Sequence, residues 1–326
     1  MNNQTFTFNG SVRARQMVVG NDNIVHGSAA GEPVDDHPGP VFGIVTALPE
    51  EFTAVLALLD DEGEVETVAG DRAHYVRGTL PSHDAGRCHE VVVTLLGDTG
   101  NAAAAEACAN LIRSFPSVGV VVMCGIACGV PDPARPERHV GLGDIVVATW
   151  GIADYDHVVE TDGGRRPRQP FPLPSPMLAR SAKHLAAGEL RGARPWEKWI
   201  EQAVAAVPDF ARPGPRPAPF PKVHHGLIGS ADRSLRSARV RDELAAADRL
   251  MAFEMEGKGI GSAGFAGGLE WFVVRGISDY GDASTGLLWR GYASVVAAAY
   301  VRALLAECAP MGVRGGHPEA TGPRGR

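Results

Sequence analysis

From residue 41 onward, short unbroken apolar segments alternate with segments of helical pattern. VFGIVTA (41–47), HEVVVTLL (89–96) and SVGVVVMCGIA (117–127) have no apolar/polar alternation, and PEEFTAVLALLDD (49–61) follows the first of them as an amphipathic helix. Strands that are apolar on both faces are typical of a sheet covered by helices on both sides. The pattern therefore predicts an α/β fold with a central, largely parallel twisted sheet between helices.

The composition narrows the class of function. The net charge of −7 argues against a surface for nucleic acid. The N-terminal residues contain no apolar signal-peptide core, and no apolar run is long enough to span a membrane. Five cysteines without CxxC or Cys/His metal spacing predict reduced thiols in a cytoplasmic protein and no metal site. The chain has no GxGxxG after a strand and no Walker sequence, so we expect no cofactor.

The pattern changes at three places along the chain. Residues 1–40 contain short β-like pieces and a flexible linker, and a poorly ordered leader is an equally good interpretation. Residues 41–309 are predicted to form the main domain, which contains a Pro/Arg-rich insertion at about 161–221 with two helices. Loops of that length often form lids or partner surfaces. Residues 310–326 are predicted to be a disordered tail.

Four polar clusters follow apolar segments, where open α/β sheets bind ligands. They are Glu50/Glu51, the Gly-rich turn GIACG (125–129), Glu254/Glu256 in AFEMEG, and Arg275 with Ser278/Asp279. Each cluster also has a structural explanation: first-turn helix acids, a packing turn, a solvated helix face, and a helix cap or turn pair. Because all four occur in one predicted sheet, we interpret them together as a binding site.

Taken together, these motifs resemble the nucleoside phosphorylase and nucleosidase superfamily, and most closely the methylthioadenosine/S-adenosylhomocysteine nucleosidases. The resemblance rests on GIVTALPEEFTAV, CGIACGV, VGLGDIVVATWGIADYD, GLIGSAD, AFEMEG and VVRGISDYGD, and it covers residues 41–307. It implies a three-layer phosphorylase/hydrolase-like fold with a central mixed, largely parallel twisted sheet flanked by helices. It also implies an enzyme that cleaves a purine N-glycosidic bond, and a homo-oligomer.

The resemblance further implies roles for particular residues. Asp279 would be the general acid that protonates purine N7, and Glu51 would position or deprotonate the attacking water. Arg275 would orient the carboxylates and the water. The implied substrate-binding residues are Glu256 on the ribose hydroxyls, Met255 on the sugar face, Ser278 beside Asp279, and Glu254, Gly125, Ile126, Ala127 and Arg233 around them. The transition state carries positive charge on the sugar, which nearby carboxylates stabilise.

Phosphorylases of this superfamily need cations and hydroxyls for phosphate at the early glycine turns. Met123-Cys124-Gly125-Ile126 offers neither an arginine before the glycine nor a hydroxyl after it. The sequence therefore favours hydrolysis of a 5′-substituted adenosine of the methylthioadenosine type to adenine and the ribose derivative.

Two alternatives stay open at this point. Arg233 stands where these nucleosidases carry an aromatic residue, and a cation there fits a phosphorylated substrate. This favours an effector-type N-glycosidase that acts on adenine nucleotides in bacterial defence, with a protein partner at 1–40 or 161–221. The other alternative is a catalytically silent nucleoside sensor, which has no need of the full set Glu51, Glu256, Arg275 and Asp279.

Overall fold

The computed structural model describes residues 39–167, 171–214, 221–284 and 286–311, without the side chains of 165–167. The strands are β1 (Phe42–Thr46), β2 (Val65–Thr67), β3 (His74–Pro81), β4 (Cys88–Leu95), β5 (Val120–Gly129), β6 (Ile145–Asp154), β7 (Val158–Thr161), β8 (Gly164–Pro167), β9 (Val223–Ser230), β10 (Leu250–Glu254) and β11 (Glu270–Asp279). The helices are α1 (Pro49–Leu56), α2 (Asn101–Ser114), α3 (Pro176–Glu189), α4 (Trp196–Ala206), α5 (Ala238–Asp248), α6 (Gly257–Ala266) and α7 (Arg290–Ala306).

Nine strands form one mixed sheet in the order β10-β9-β6-β11-β5-β1-β4-β3-β2. The central pairs β4–β1, β1–β5 and β5–β11 are parallel, whereas β11–β6 and the β2–β3–β4 edge are antiparallel. The β10 strand also pairs with β5, which closes β5, β11, β6, β9 and β10 into a ring. The predicted mixed, largely parallel sheet is confirmed, and the separate hairpin β7–β8 lies outside it.

Helices cover both faces of the sheet, as the unbroken apolar strands predict. One apolar cluster holds α1, α3, α4 and α7 against one face, and a second holds α2 and α6 against the other. Helix α7 lies directly on β11, and Gly276 permits this close contact. A Cβ at Gly276 would overlap the backbone carbonyl of Ala293. Trp271 packs edge-on against Phe171 on the opposite face. Among the described helices, none has both the length and the hydropathy needed to cross a membrane.

The predicted Gly-rich turn at 125–129 is wrong, because these residues continue β5 up to Gly129. Ala127 is still paired with β11, and Cys128 and Gly129 pair with β10. Two partner strands provide hydrogen-bond partners for the backbone of this segment, so it has no need to turn. Gly129 also allows the close approach of Ile277, whose side chain would meet a Cβ there at 2.8 Å.

The predicted insertion contains more regular structure than its composition indicates. The two helices expected there are present as α3 and α4, and both pack against α7. The hairpin β7–β8 precedes them, and it was not predicted from the Pro/Arg-rich sequence. Residues 168–170 and 215–220 of the insertion lie outside the described residues, as do 1–38 of the leader and 312–326 of the tail.

Candidate active site

A cavity of about 310 Å³ lies beyond the carboxyl ends of β1, β5, β10 and β11. This is near the lower end of the usual size range for ligand pockets. Its walls are formed by Ala47, Leu48, Glu51, Thr99, Ile126, Ala127, Cys128, Arg233, Ser234, Leu235, Arg236, Phe253, Glu254, Met255, Glu256, Ser278, Asp279 and Arg290. Nine of the eleven sequence-predicted site residues are in this lining. The other two, Gly125 and Arg275, lie directly behind it.

Arg275 is the centre of a buried charge cluster behind the cavity. Its side chain is fully buried in β11, and Nη2 donates to Oε2 of Glu254 and, at 3.2 Å, to Oε2 of Glu256. Glu254 ends β10, and its Oε2 also accepts hydrogen bonds from the backbone N–H groups of Glu256 and Gly257, at 3.0 and 2.7 Å. These contacts hold Glu254 in place through Oε2, and the substrate contact predicted for Glu254 from the resemblance stays a prediction.

Glu51 is fixed by the first turn of α1. Pro49 begins the helix, where proline is well tolerated. Oε2 of Glu51 accepts hydrogen bonds from the N–H groups of Ala47 and Leu48, at 2.7 and 3.0 Å, and Oε1 accepts one from Ile126 at 2.8 Å. The carboxylate therefore joins the end of β1 to β5, where it reaches the cavity wall.

Gly125 allows Glu51 of α1 and Arg275 of β11 to approach the same point of β5. A Cβ on Gly125 would overlap Nη1 of Arg275 and lie 2.5 Å from Oε1 of Glu51. Nη1 of Arg275 is buried and has no hydrogen-bond partner among the described residues. A side chain at this position would collide with both charged groups, so the cluster requires a glycine here.

Burial makes two of the carboxylates, Glu51 and Glu256, harder to ionise than carboxylates in water. It raises the pKa of Glu51, although Arg275 and three backbone N–H groups oppose the shift. Burial also raises the pKa of Glu256 to about 7, opposed by Arg275 and reinforced by Glu254. Three carboxylates surround a single guanidinium, so the cluster is net negative when all of them are ionised. We call Glu51, Glu254 and Glu256 the acidic floor of the cavity. Its negative charge stabilises a positive charge that develops in a substrate bound above it.

The raised pKa of Glu256 makes the stability of the folded protein depend on pH. The ordinary pKa of a glutamate is 4.5, so between pH 4.5 and about pH 7 Glu256 holds a proton in the folded protein that it releases in the unfolded chain. The free energy of unfolding therefore decreases as the pH rises through this window. We expect Glu256→Gln to remove part of that decrease when urea unfolding is measured at pH 5 and pH 8. Glu243→Gln, at an exposed position of α5, is the control and should keep the wild-type slope. Equal slopes in all three proteins would contradict the assignment.

Asp279 lies at the end of β11, on the opposite side of the cavity mouth from α1. Its Oδ2 accepts a hydrogen bond from Ser278 Oγ at 2.8 Å, and Oδ1 accepts one from the N–H of Gly281 at 2.7 Å. Asp279 is half-buried, whereas Ser278 is buried. The predicted contact between Ser278 and Asp279 is therefore present, and it leaves one edge of the carboxyl group facing the cavity.

Met255 and Glu256 connect β10 to α6 at the cavity wall. Met255 is half-buried there, and Glu256 accepts a hydrogen bond through Oε1 from the N–H of Gly100, at 3.0 Å. Asp232 accepts from the next N–H, that of Asn101, at 2.7 Å. The sequence GDTGN (97–101) thus leads into α2 and is held against the cavity by two carboxylates.

Arg233 lines the cavity, but its charge is already compensated. Nη2 lies 2.5 Å from Oδ1 of Asp156, and the guanidinium stands 5.3 Å from the ring centroid of Tyr155. The guanidinium joins the loops that follow β6 and β9. A contact between Arg233 and a phosphorylated substrate, which the sequence left open, stays a prediction.

Two arginines of the cavity lining were not identified from the sequence. Arg236 is exposed in the β9–α5 connection, and Arg290 is half-buried at the first residue of α7. The sequence spacing carries no signal for Arg236. Arg290 begins α7, the helix that follows β11, and Asp279 is the last residue of β11. That proximity was the available signal.

The fold and the acid–arginine cavity define an α/β protein of the nucleoside phosphorylase and nucleosidase class. A model of the phosphorylase superfamily matches residues 41–305, which is most of the chain. The protein belongs to the phosphorylase superfamily.

Similarity to characterised proteins is distant. The chain is 27% identical over 308 residues to a nucleotide-binding leucine-rich repeat (NLR)-like protein of Hyaloscypha variabilis, covering 83% of this chain and 30% of that protein. It is 25% identical over 279 residues to a 5′-methylthioadenosine/S-adenosylhomocysteine nucleosidase of Mycobacterium bovis, covering 81% and 94%. It is 28% identical over 262 residues to ATP nucleosidase Cap17 of Escherichia coli, covering 78% and 49%. The chain thus spans less than a third of the fungal relative and about half of Cap17.

Solved structures show the same fold. The nucleosidase from Neisseria meningitidis in complex with methylthio-immucillin-A superimposes with a TM-score of 0.59 at 20% identity, covering 81% of this chain and 97% of that one.

Proposed function

We propose that the chain hydrolyses the N-glycosidic bond of a 5′-substituted adenosine and releases adenine and the ribose derivative. The observation that carries the proposal is the buried cluster of Glu51, Glu256 and Arg275, which faces Asp279 across one cavity. A nucleoside bound in this cavity places its base beside Asp279 and its ribose beside the carboxylates Glu51 and Glu256.

The chemistry follows from that placement. As the C1′–N9 bond breaks, its electron pair moves to the purine and Asp279 transfers a proton to N7. The sugar becomes an oxocarbenium-like cation, which the acidic floor of Glu51, Glu254 and Glu256 stabilises. A water molecule that donates a hydrogen bond to Glu51 attacks C1′, and Glu51 accepts its proton. Glu256 accepts hydrogen bonds from the ribose hydroxyls, and Met255 packs against the sugar.

Electrostatics favour water over phosphate as the nucleophile. The place where the nucleophile stands adjoins Glu51, and two further carboxylates lie behind it. A phosphate dianion in that position would be repelled by the same charges that stabilise the sugar cation. Water carries no such penalty.

Adenine release provides the test. Methylthioadenosine, S-adenosylhomocysteine, AMP and ATP would be incubated with the protein, with and without inorganic phosphate, and adenine measured by chromatography. We expect release at equal rates in both conditions, with a free ribose derivative as the second product. Release that requires phosphate, with ribose 1-phosphate as product, would contradict hydrolysis. Release from none of the four substrates would contradict the whole proposal and favour the silent sensor.

The nature of the 5′ group separates two candidates within this proposal. Relatives named as methylthioadenosine/S-adenosylhomocysteine nucleosidases support the thioether substrates. The similarity to an ATP nucleosidase and the arginines in the cavity lining support adenine nucleotides. A homo-oligomer, and a protein partner at 1–40 or 161–221, remain predictions.

A further inference from the structure

The cavity combines an acidic floor with a basic rim. Glu51, Glu254 and Glu256 lie at the bottom around Arg275, whereas Arg236 and Arg290 lie in the lining on two other segments. A substrate that enters such a field is oriented by charge, with any anionic group at the rim and any developing cation at the floor.

The rim arginines differ from the other arginines of this region in one respect. Arg233 is paired with Asp156, and Arg241 is paired with Asp242 and the carbonyl of Tyr280. Arg236 and Arg290 have no carboxylate partner among the described residues. Two guanidinium groups without a carboxylate partner in the wall of one cavity attract an anionic group of a ligand, to which they can donate charge-assisted hydrogen bonds.

The proposed reaction leaves one part of the substrate to meet these cations. The base lies at Asp279 and the ribose hydroxyls lie at Glu256, so the 5′ substituent is the part left to reach the rim. A thioether substituent would desolvate both guanidinium groups without neutralising either. A chain of phosphates satisfies both through charge-assisted and bidentate hydrogen bonds.

We propose that Arg290 and Arg236 form the subsite for the 5′-polyphosphate of an adenine nucleotide. This inference rests on the proposed hydrolysis for its orientation of base and ribose. The acidic floor excludes the reverse orientation, because it would place the phosphates beside Glu51 and Glu254.

The test compares substrates across charge variants. kcat/KM for ATP and for methylthioadenosine would be measured in the wild type, Arg290→Gln, Arg236→Gln and the double variant. Loss of one charge-assisted contact corresponds to roughly a 10- to 100-fold effect. We expect the ratio of kcat/KM for ATP to that for methylthioadenosine to fall by about this factor in each single variant, and further in the double variant. Arg239→Gln, at an exposed position of α5 paired with Glu243, is the matched control and should keep the wild-type ratio.

Binding separates failure of this inference from failure of the proposed function. Calorimetry would measure the affinities of the wild-type protein and of Arg290→Gln for ATP and for adenosine. Tighter binding of ATP than of adenosine, weakened in Arg290→Gln, supports the subsite even if no adenine is released, in which case only the proposed hydrolysis fails. Equal binding of ATP and adenosine overturns the subsite. An unchanged substrate ratio in both arginine variants overturns it as well, even if hydrolysis is confirmed.

Discussion

Replacing Asp279 with asparagine is expected to reduce the rate of adenine release by at least about 100-fold. Asparagine has nearly the same shape and still accepts the hydrogen bond from the N–H of Gly281, so the loop keeps its conformation. It cannot donate a carboxyl proton to the departing purine, and the base must then leave as an anion. Single-turnover adenine release at saturating substrate, together with the urea midpoint, would separate lost chemistry from lost structure.

The control for this variant lies three residues further along the chain. Asp282 is also an acceptor in the β11–α7 connection, where it binds Ser284, and it is not part of the cavity lining. Asp282→Asn should release adenine at close to the wild-type rate. An Asp279→Asn protein that is folded and as active as Asp282→Asn would show that the proton comes from elsewhere.

Replacing Arg275 with methionine is expected to have the largest effect on stability. The side chain is fully buried, and its removal leaves Glu254 and Glu256 without their counter-charge. Breaking a buried ion pair by removing one partner costs about 3–5 kcal/mol. The loss should be larger at pH 8 than at pH 5, because Glu256, whose pKa burial raises to about 7, is protonated at the lower pH and then carries no uncompensated charge. Urea unfolding at the two pH values measures both quantities.

Arg302 provides the matched comparison. It is also buried, but it pairs with the half-exposed Asp60 and with the carbonyl of Leu58, away from the cavity. Arg302→Met should therefore lose less stability, and by a similar amount at both pH values. Equal and pH-independent losses in the two variants would show that the carboxylate cluster is not what makes Arg275 necessary. If Arg275→Met does not fold at pH 8, folding at pH 5 alone still satisfies the expectation.

The local pattern of the chain predicted much of the fold and of the site. Unbroken apolar runs identified the central strands, since residues buried on both faces leave no polar alternation. The placement of Glu51 and Asp279 after such runs predicted that they meet, because the carboxyl ends of parallel strands lie at one edge of a sheet. Glu256 reaches the same place although β10 runs antiparallel to β5. The structure brings these side chains to one cavity.

Other features depended on contacts between segments that are distant in the chain. The second pairing of β5, with β10, continues the strand through Gly125–Gly129, where composition indicated a turn. The strands β2 and β3 were missed, because β2 has only three residues and both strands carry exposed residues that interrupt an apolar run.

The charged residues of the site were also predicted only in part from the sequence. The sequence by itself determined that acids and arginines occur near the strand ends, because their positions follow from hydrophobic periodicity. Only the tertiary structure decided which charges are compensated: Arg233 by Asp156, Arg275 by Glu254 and Glu256, and Arg236 and Arg290 by no carboxylate among the described residues. The physical reason is that ion pairing depends on separations of a few ångströms between side chains, and those separations are set by packing and strand register rather than by distance along the chain.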